Sequence, residues 1–316
     1  METPNIEKLK TFTMDDIPEL DTVVMGALEL LQQKPIPKIN LSAYKHPIVV
    51  GSGGAEATSR IIFEKTDAIF ASESDFEEKV NNITSFDSVV IVSASGSKHA
   101  PIVAEVAKSL EKRVMLITTT PNSPANQVMS GVADFDEYIF PKNREPYTYN
   151  ASTYMGMVLG MTGEDPAKIM QFINDCTSKL DFPDFSKYDK YYIMVPTEFL
   201  GICKLIHYKF TELFGRQIAR DVETFEFTKR HAAVVVPSDE LFISFGEQDK
   251  NWGEPENRLF VPLPEDAGYG AMMAVAYYTV GQIQKAYPYY FKENIGKFIQ
   301  KVNQMNGSTL SPIVEV

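Results

Sequence analysis

The sequence predicts an α/β protein made of two tandem doubly wound parallel-sheet halves with flanking helices. Three observations carry that expectation. Runs such as Pro47-Ile48-Val49-Val50 and Ser88-Val89-Val90-Ile91-Val92 are β-branched and almost wholly apolar, as strands buried on both faces are. Each run ends in a glycine- and serine-bearing turn that opens onto a helical pattern: Gly51-Ser52-Gly53-Gly54-Ala55 and Ser93-Ala94-Ser95-Gly96-Ser97-Lys98-His99. The strand and helix patterns alternate, break near Asp181-Phe182-Pro183-Asp184, and then alternate again.

In order along the chain, residues 1–45 read as a helical segment, capped by Asp15 or Asp16, with Ile17, Leu20, Val23, Val24, Leu28, Leu30 and Leu31 as its apolar face. The first half, 46–180, then reads as strands at Pro47–Val50, Asp67–Ser72, Val89–Val92, Arg113–Thr118 and Asp136–Phe140. Helices are expected at Ala57–Glu64, Asp75–Asn82 and Ala100–Leu110, and a closing helix at Ala151–Met161. The second half, 187–316, reads as strands at Tyr191–Val195, Ala232–Val236, Leu241–Phe245 and Arg258–Val261, with helices at Glu198–Phe214 and Met272–Tyr287.

Composition narrows the function classes. The 316 residues are 44% hydrophobic and carry a formal charge of −12, enough for a large core and unfavourable for nucleic acid or an anionic membrane as the main partner. Two cysteines, Cys176 and Cys203, have no metal-like spacing and imply no disulfide framework, so a cytoplasmic location is expected. No stretch approaches the roughly 18 apolar residues of a membrane span.

Glycine and serine at the C-terminal end of a parallel strand let N–H groups and hydroxyls converge on an anion, with the next helix's positive dipole end behind them. Gly51, Ser52, Gly53 and Gly54 form one such candidate site and Ser93, Ala94, Ser95, Gly96, Ser97 and Lys98 the other. Each also has a plainer reading: a tight βα turn for the glycines, helix capping for Ser93 and Ser95, a solvated helix-start lysine for Lys98 and surface decoration for His99. A dinucleotide fold is disfavoured because Glu56 stands where the sixth position of Gly51-x-Gly53-x-x needs glycine or alanine. His207 reads as a packing or interface histidine.

The paired turns, the two α/β halves, Ala71-Ser72-Glu73 and Glu226-Phe227-Thr228-Lys229-Arg230-His231 together resemble the sugar isomerase (SIS) domain family, over about residues 45 to 316. The resemblance implies flavodoxin-like halves, a phosphorylated sugar as ligand, a homodimer, and no cofactor or metal. The family's phosphate loop, Ser-x-Ser-Gly-x-Ser/Thr, is matched by Ser93, Ser95 and Gly96, with Lys98 in place of the last hydroxyl. Two-domain members interconvert aldose and ketose phosphates, which requires a base moving a proton between C1 and C2 and a group that opens the sugar ring. The resemblance places the base at Glu212, three residues after Lys209, and the ring-opening histidine at His231, with Glu226 in the same motif; Glu145 is placed near the sugar.

The sequence departs from the family at several of these points. Two residues are inserted after Glu226-Phe227, Ala232-Ala233 replace the family's Gly-Pro, and Pro312 stands where a tail lysine would be expected. Two functions therefore stay open: a phosphosugar isomerase or deglycase acting on a hexose 6-phosphate or its aminated derivative, without glutaminase activity, and a non-catalytic phosphosugar sensor or regulatory subunit.

Overall fold

A computed structural model describes residues 3–232, 239–287 and 290–316. In chain order the helices are α1 (Asn5–Thr11), α2 (Leu20–Gln33), α3 (Gly54–Ile62), α4 (Phe76–Asn82), α5 (Ala100–Ser109), α6 (Pro124–Val128), α7 (Ala151–Thr162), α8 (Pro166–Asp175), α9 (Ile202–Phe214), α10 (Phe225–His231), α11 (Tyr269–Lys285) and α12 (Tyr290–Asn306). The strands are β1 (Pro47–Val50), β2 (Ile69–Ala71), β3 (Ser88–Val92), β4 (Arg113–Thr118), β5 (Phe135–Ile139), β6 (Glu145–Pro146), β7 (Lys190–Val195), β8 (Ala219–Thr224), β9 (Glu240–Phe245), β10 (Arg258–Val261) and β11 (Ile313–Val314).

Two compact units emerge. One holds residues 34–142 and 153–163; the other holds 1–33, 143–152 and 164–316. They interleave along the chain and do not follow the spans 46–180 and 187–316 expected for the two halves. Helix α2, largely buried, explains part of the difference: it packs on α11 and α8, within the second unit, instead of standing as a separate segment.

In the first unit the strand order is β2-β1-β3-β4-β5, all parallel, with Val49 opposite Val90 and Val90 opposite Met115. Ile48, Val50, Val89, Ile91, Val114 and Leu116 form one core with Phe76 and Val80 of α4, Val103 and Ala104 of α5, and Ala125 of α6. The alternate residues Val49, Val90, Met115 and Ile117 are buried as well, so the sheet is covered on both faces. This is why the strands read as apolar runs with no polar alternation.

The second unit's sheet has the order β10-β9-β7-β8, also parallel. In chain order that is a 2-1-3-4 arrangement read from its other edge, the same winding as β2-β1-β3-β4 in the first unit. The chain is thus an α/β protein of two tandem parallel-sheet halves. Its second strand is β8, which is not among the expected strands; the strand expected at Ala232–Val236 lies, Ala232 apart, outside the described residues. β8 escapes an apolar-run search because Ala-Arg-Asp-Val-Glu-Thr buries only Val222 and Thr224 at this sheet edge. The expected Glu198–Phe214 helix is divided into a 3-10 turn at Thr197–Phe199 and α9.

Remote carboxylates cap three helices that begin in this unit. Glu29 accepts from the N–H groups of Asn5 and Ile6 at 3.1 and 2.7 Å, where α1 begins. Glu164 accepts from Gly268, Gly270 and Ala271 at 2.8, 2.7 and 2.9 Å, where α11 begins. Glu145 does the same for α7, at Ala151 and Ser152. Each satisfies orphan first-turn donors and places negative charge at a positive dipole end. No described helix is long and apolar enough to cross a membrane.

Candidate functional site

The first unit's anion loop follows β3. Gly96 has φ +59°, and a Cβ there would lie 2.4 Å from Ser123 Oγ, so the position admits only glycine. Ser123 cannot give way, because it caps α6, accepting from Asn126 N–H at 3.2 Å. Gly96 N–H donates to Ser93 Oγ at 3.2 Å, while the hydroxyls of Thr118 and Thr119 both donate to the Ala94 carbonyl, at 3.1 and 2.7 Å. Ser93 is therefore a loop-building hydroxyl. Ser95 and Ser97 hold each other at 2.6 Å, the first exposed and the second half-buried. Lys98, at φ +56°, is exposed. The loop thus presents two hydroxyls and an ammonium beyond the strand's C-terminal end, a set suited to an anion.

The first turn differs in kind. Gly53 has φ +54°, and a Cβ on Gly54 would meet the Tyr154 ring at 2.5 Å. Gly51 and Gly54 are thus accounted for by close packing: a Cβ on Gly51 would touch the backbone of Ala55 and Glu56. Ser52 is the exposed polar group of the turn, and its hydroxyl donates to Glu73 Oε1 at 3.2 Å. Glu73, just after β2, also faces His99, with Oε2 3.6 Å from Nε2. Ser52, Glu73 and His99 thus bridge the ends of the first three strands.

In the second unit, α9 carries Lys209 and Glu212. Ile202, Leu205, Ile206, Lys209, Phe210 and Leu213 form its buried stripe, so a lysine occupies a core-facing position. Its Nζ donates to Glu212 Oε2 at 2.5 Å and to the carbonyls of Thr148 and Tyr149 at 2.5 and 2.9 Å. Three acceptors use all three ammonium protons. Thr148 adopts φ +74°, which turns this carbonyl pair toward the lysine. The Glu212 side chain is 30% exposed and Lys209 3%, so the carboxylate stands at the boundary with its partner behind it. A proton acceptor anchored on one side and reachable on the other can perform general acid–base chemistry. In the sequence Lys209 is only a spacing marker; its place in the apolar stripe is the signal that it is a buried ion-pair partner.

Glu145, expected beside the sugar, is buried, with both oxygens taken by Ala151 N–H at 2.7 Å and Ser152 N–H at 2.8 Å. Burial pushes its carboxyl pKa up, against those donors and the Lys209 charge. The structure gives it a capping role. Beside it, β6 pairs antiparallel with β11 of the tail, and Tyr147 N–H donates to the Pro312 carbonyl at 2.8 Å. Pro312 thus contributes backbone where the resemblance expects a lysine side chain. The Tyr147 phenol is pushed up by burial and by the Glu212 charge.

Glu226 and His231 both lie on α10, which starts at the Thr224 cap. Glu226 is exposed and pairs with Arg230 one turn on, at 3.0 Å. His231 is exposed at the helix end, its ring 4.7 Å from that of Phe227. The two residues inserted after Glu226-Phe227 thus extend a helix through the motif. Within the second unit, His207 on α9 is pushed down by burial and by Arg220.

Cys203, also on α9, has its thiol pushed up to about 12 by burial and by Glu223. Because the thiolate is the nucleophile, its alkylation by iodoacetamide at pH 8 is expected to be on the order of a thousandfold slower than that of a free cysteine. Mass spectrometry of the labelled peptide measures this, and labelling at the free-cysteine rate would contradict the buried placement. No group of three or more potential metal-ligating side chains occurs among the described residues.

No family model matches the chain, and no curated protein matches it in sequence. Its fold, however, is that of solved sugar-phosphate proteins. Tagatose-6-phosphate ketose/aldose isomerase from Escherichia coli superposes with a TM-score of 0.53 at 11% identity, covering 85% of this chain and 87% of that one. The C-terminal domain of glucosamine-fructose-6-phosphate aminotransferase from Francisella tularensis gives 0.53 at 12% identity, covering 87% and 98%. Glucosamine-6-phosphate deaminase from Thermotoga maritima gives 0.54 at 14% identity, covering 90% and 95%. The architecture of two parallel-sheet α/β halves expected from the sequence is the architecture observed.

Proposed function

We propose that the chain is a phosphosugar isomerase or deglycase acting on a hexose 6-phosphate or an aminated derivative, with the Ser93–Lys98 loop as its phosphate-binding element and Glu212 as its proton-transfer base. The observation that carries the proposal is the Lys209–Glu212 pair: a non-functional surface glutamate has no need of a buried lysine tied to two carbonyls. The ligand class is supported by the anion loop and by a fold shared with three proteins each named for a 6-phosphate sugar. In the proposed cycle Glu212 takes a proton from C1 or C2 of the open-chain sugar, giving an enediol, and returns it to the neighbouring carbon. A homodimer is part of the same proposal.

A second function, a phosphosugar sensor without catalysis, is favoured by the solvated placement of Glu226 and His231 and by Pro312 in the tail. Titration calorimetry tests the ligand class common to both. Fructose 6-phosphate is expected to bind and fructose not, and Lys98→Ala is expected to weaken binding about tenfold through loss of a phosphate contact. Equal heats for sugar and sugar phosphate would remove the phosphate assignment.

A further inference from the structure

The histidine that immediately follows the anion loop reads in the sequence as surface decoration, yet in the fold it does not stand alone. His99 Nε2 is 3.6 Å from Glu73 Oε2, and the other oxygen of that carboxylate accepts from Ser52 at 3.2 Å. A carboxylate held by a hydroxyl and facing an imidazole biases which way the ring points. All three residues belong to the unit that carries the loop. His231, by contrast, ends a surface helix with its ring against Phe227, and among the described residues no carboxylate is placed to orient it beyond the charge of Glu223.

The chemistry of the ligand makes the position of His99 meaningful. In a hexose 6-phosphate the ring oxygen O5 is carried by C5, next to the carbon that bears the phosphate ester. A group that protonates O5 must therefore stand close to the groups that hold the phosphate. His99 is the residue after Lys98, and the paired hydroxyls of Ser95 and Ser97 lie four and two residues before it.

We propose that His99, oriented by Glu73, is the ring-opening acid for the sugar phosphate bound on this loop. The inference rests on the isomerase function proposed above. Glu73 faces Nε2, and the opposite nitrogen, Nδ1, donates its proton to O5. As that proton arrives, the bond between O5 and the anomeric carbon breaks with its electron pair going to O5. The anomeric hydroxyl loses its proton to water and becomes the carbonyl of the open chain, and the imidazole regains a proton from solvent. No oxidant, reductant or further reactant is needed. Glu73 is a positioning residue in this scheme and His99 a catalytic one.

The test compares two substrates in deuterated water, with exchange at C1 followed by proton NMR. Fructose 6-phosphate is mostly cyclic; 5-deoxyfructose 6-phosphate lacks the C5 hydroxyl and cannot close the ring. His99→Asn is expected to slow exchange on fructose 6-phosphate by about 10²- to 10⁴-fold, the span of a lost general acid, and to leave the open-chain analogue within a few-fold of the wild type. Glu73→Gln is expected to give a smaller loss with the same substrate pattern, and His231→Asn to exchange both at near wild-type rates. Calorimetry with fructose 6-phosphate confirms that each variant is folded and binds. Equal loss on both substrates, or a cyclic-only loss in His231→Asn instead, would overturn the assignment to His99 while leaving the isomerase function standing. No exchange by the wild-type protein on either substrate, with binding intact, would overturn both.

Discussion

Glu212→Gln is expected to reduce C1/C2 proton exchange on fructose 6-phosphate by about 10²- to 10⁴-fold, the usual contribution of a general base, with sugar-phosphate binding retained. The substitution keeps the shape of the side chain and leaves an amide oxygen to accept from Lys209 Nζ, which stays tied to the carbonyls of Thr148 and Tyr149. What disappears is the capacity to take a proton at working pH. Deuterium incorporation followed by NMR, with calorimetry for binding, separates the two effects. Exchange retained at the wild-type rate would remove Glu212 as the base, and loss of binding in parallel would make it a structural residue.

The largest stability effect is expected at Gly281, on α11. A Cβ there would lie 2.1 Å from the backbone nitrogen of Asp21 and 2.8 Å from its Cα, so the obstacle is main chain and no rotamer relieves it. The helices cannot separate cheaply at this point. Asp21 Oδ2 accepts from Lys285 at 2.5 Å and Gln282 at 2.8 Å, and Gln284 accepts from Leu20 N–H at 2.9 Å while donating to the Tyr149 hydroxyl at 2.8 Å. Gly281→Ala is therefore expected to cost about 3 kcal/mol or more, the upper end for overpacking a filled core, and to lower Tm by several degrees in a thermal melt. Gly163→Ala is the control for the loss of a glycine alone: its Cβ would meet nothing within 4 Å, although its φ of +72° carries a backbone penalty. A Gly281→Ala protein as stable as that control would contradict the close α2–α11 packing.

The fold was legible where burial leaves a compositional mark. Strands β1, β3 and β4 are covered on both faces, so their sequences are apolar residue after residue, and the turns that end β1 and β3 need glycine for reasons of φ and space. β8 was not legible, because at the sheet edge it buries two residues of six and reads as a polar loop. Neither was the division of the chain, since the burial of α2 against α11 depends on surfaces more than 230 residues apart.

The site was legible in its parts and not in its pairings. Ser93, Ser95 and Gly96 match the phosphate-loop pattern, but in the fold Ser93 Oγ accepts from Gly96 N–H and Ser95 pairs with Ser97, a position the pattern leaves open. Glu145 reads as a ligand carboxylate because nothing local reveals that two N–H groups of α7 lie within 3 Å of it. A cap six or seven residues away follows no short spacing rule. The Thr148 and Tyr149 carbonyls that hold Lys209, and the Ser52–Glu73–His99 bridge, escape for the same reason: these partners are remote in sequence.

The most direct test of the central claim is a crystal structure of the wild-type chain with fructose 6-phosphate. The account predicts the phosphate on the loop after β3, within hydrogen-bond distance of the Ser95 or Ser97 hydroxyl and of the Lys98 ammonium. A phosphate bound elsewhere, with that loop empty at saturating ligand, would contradict it.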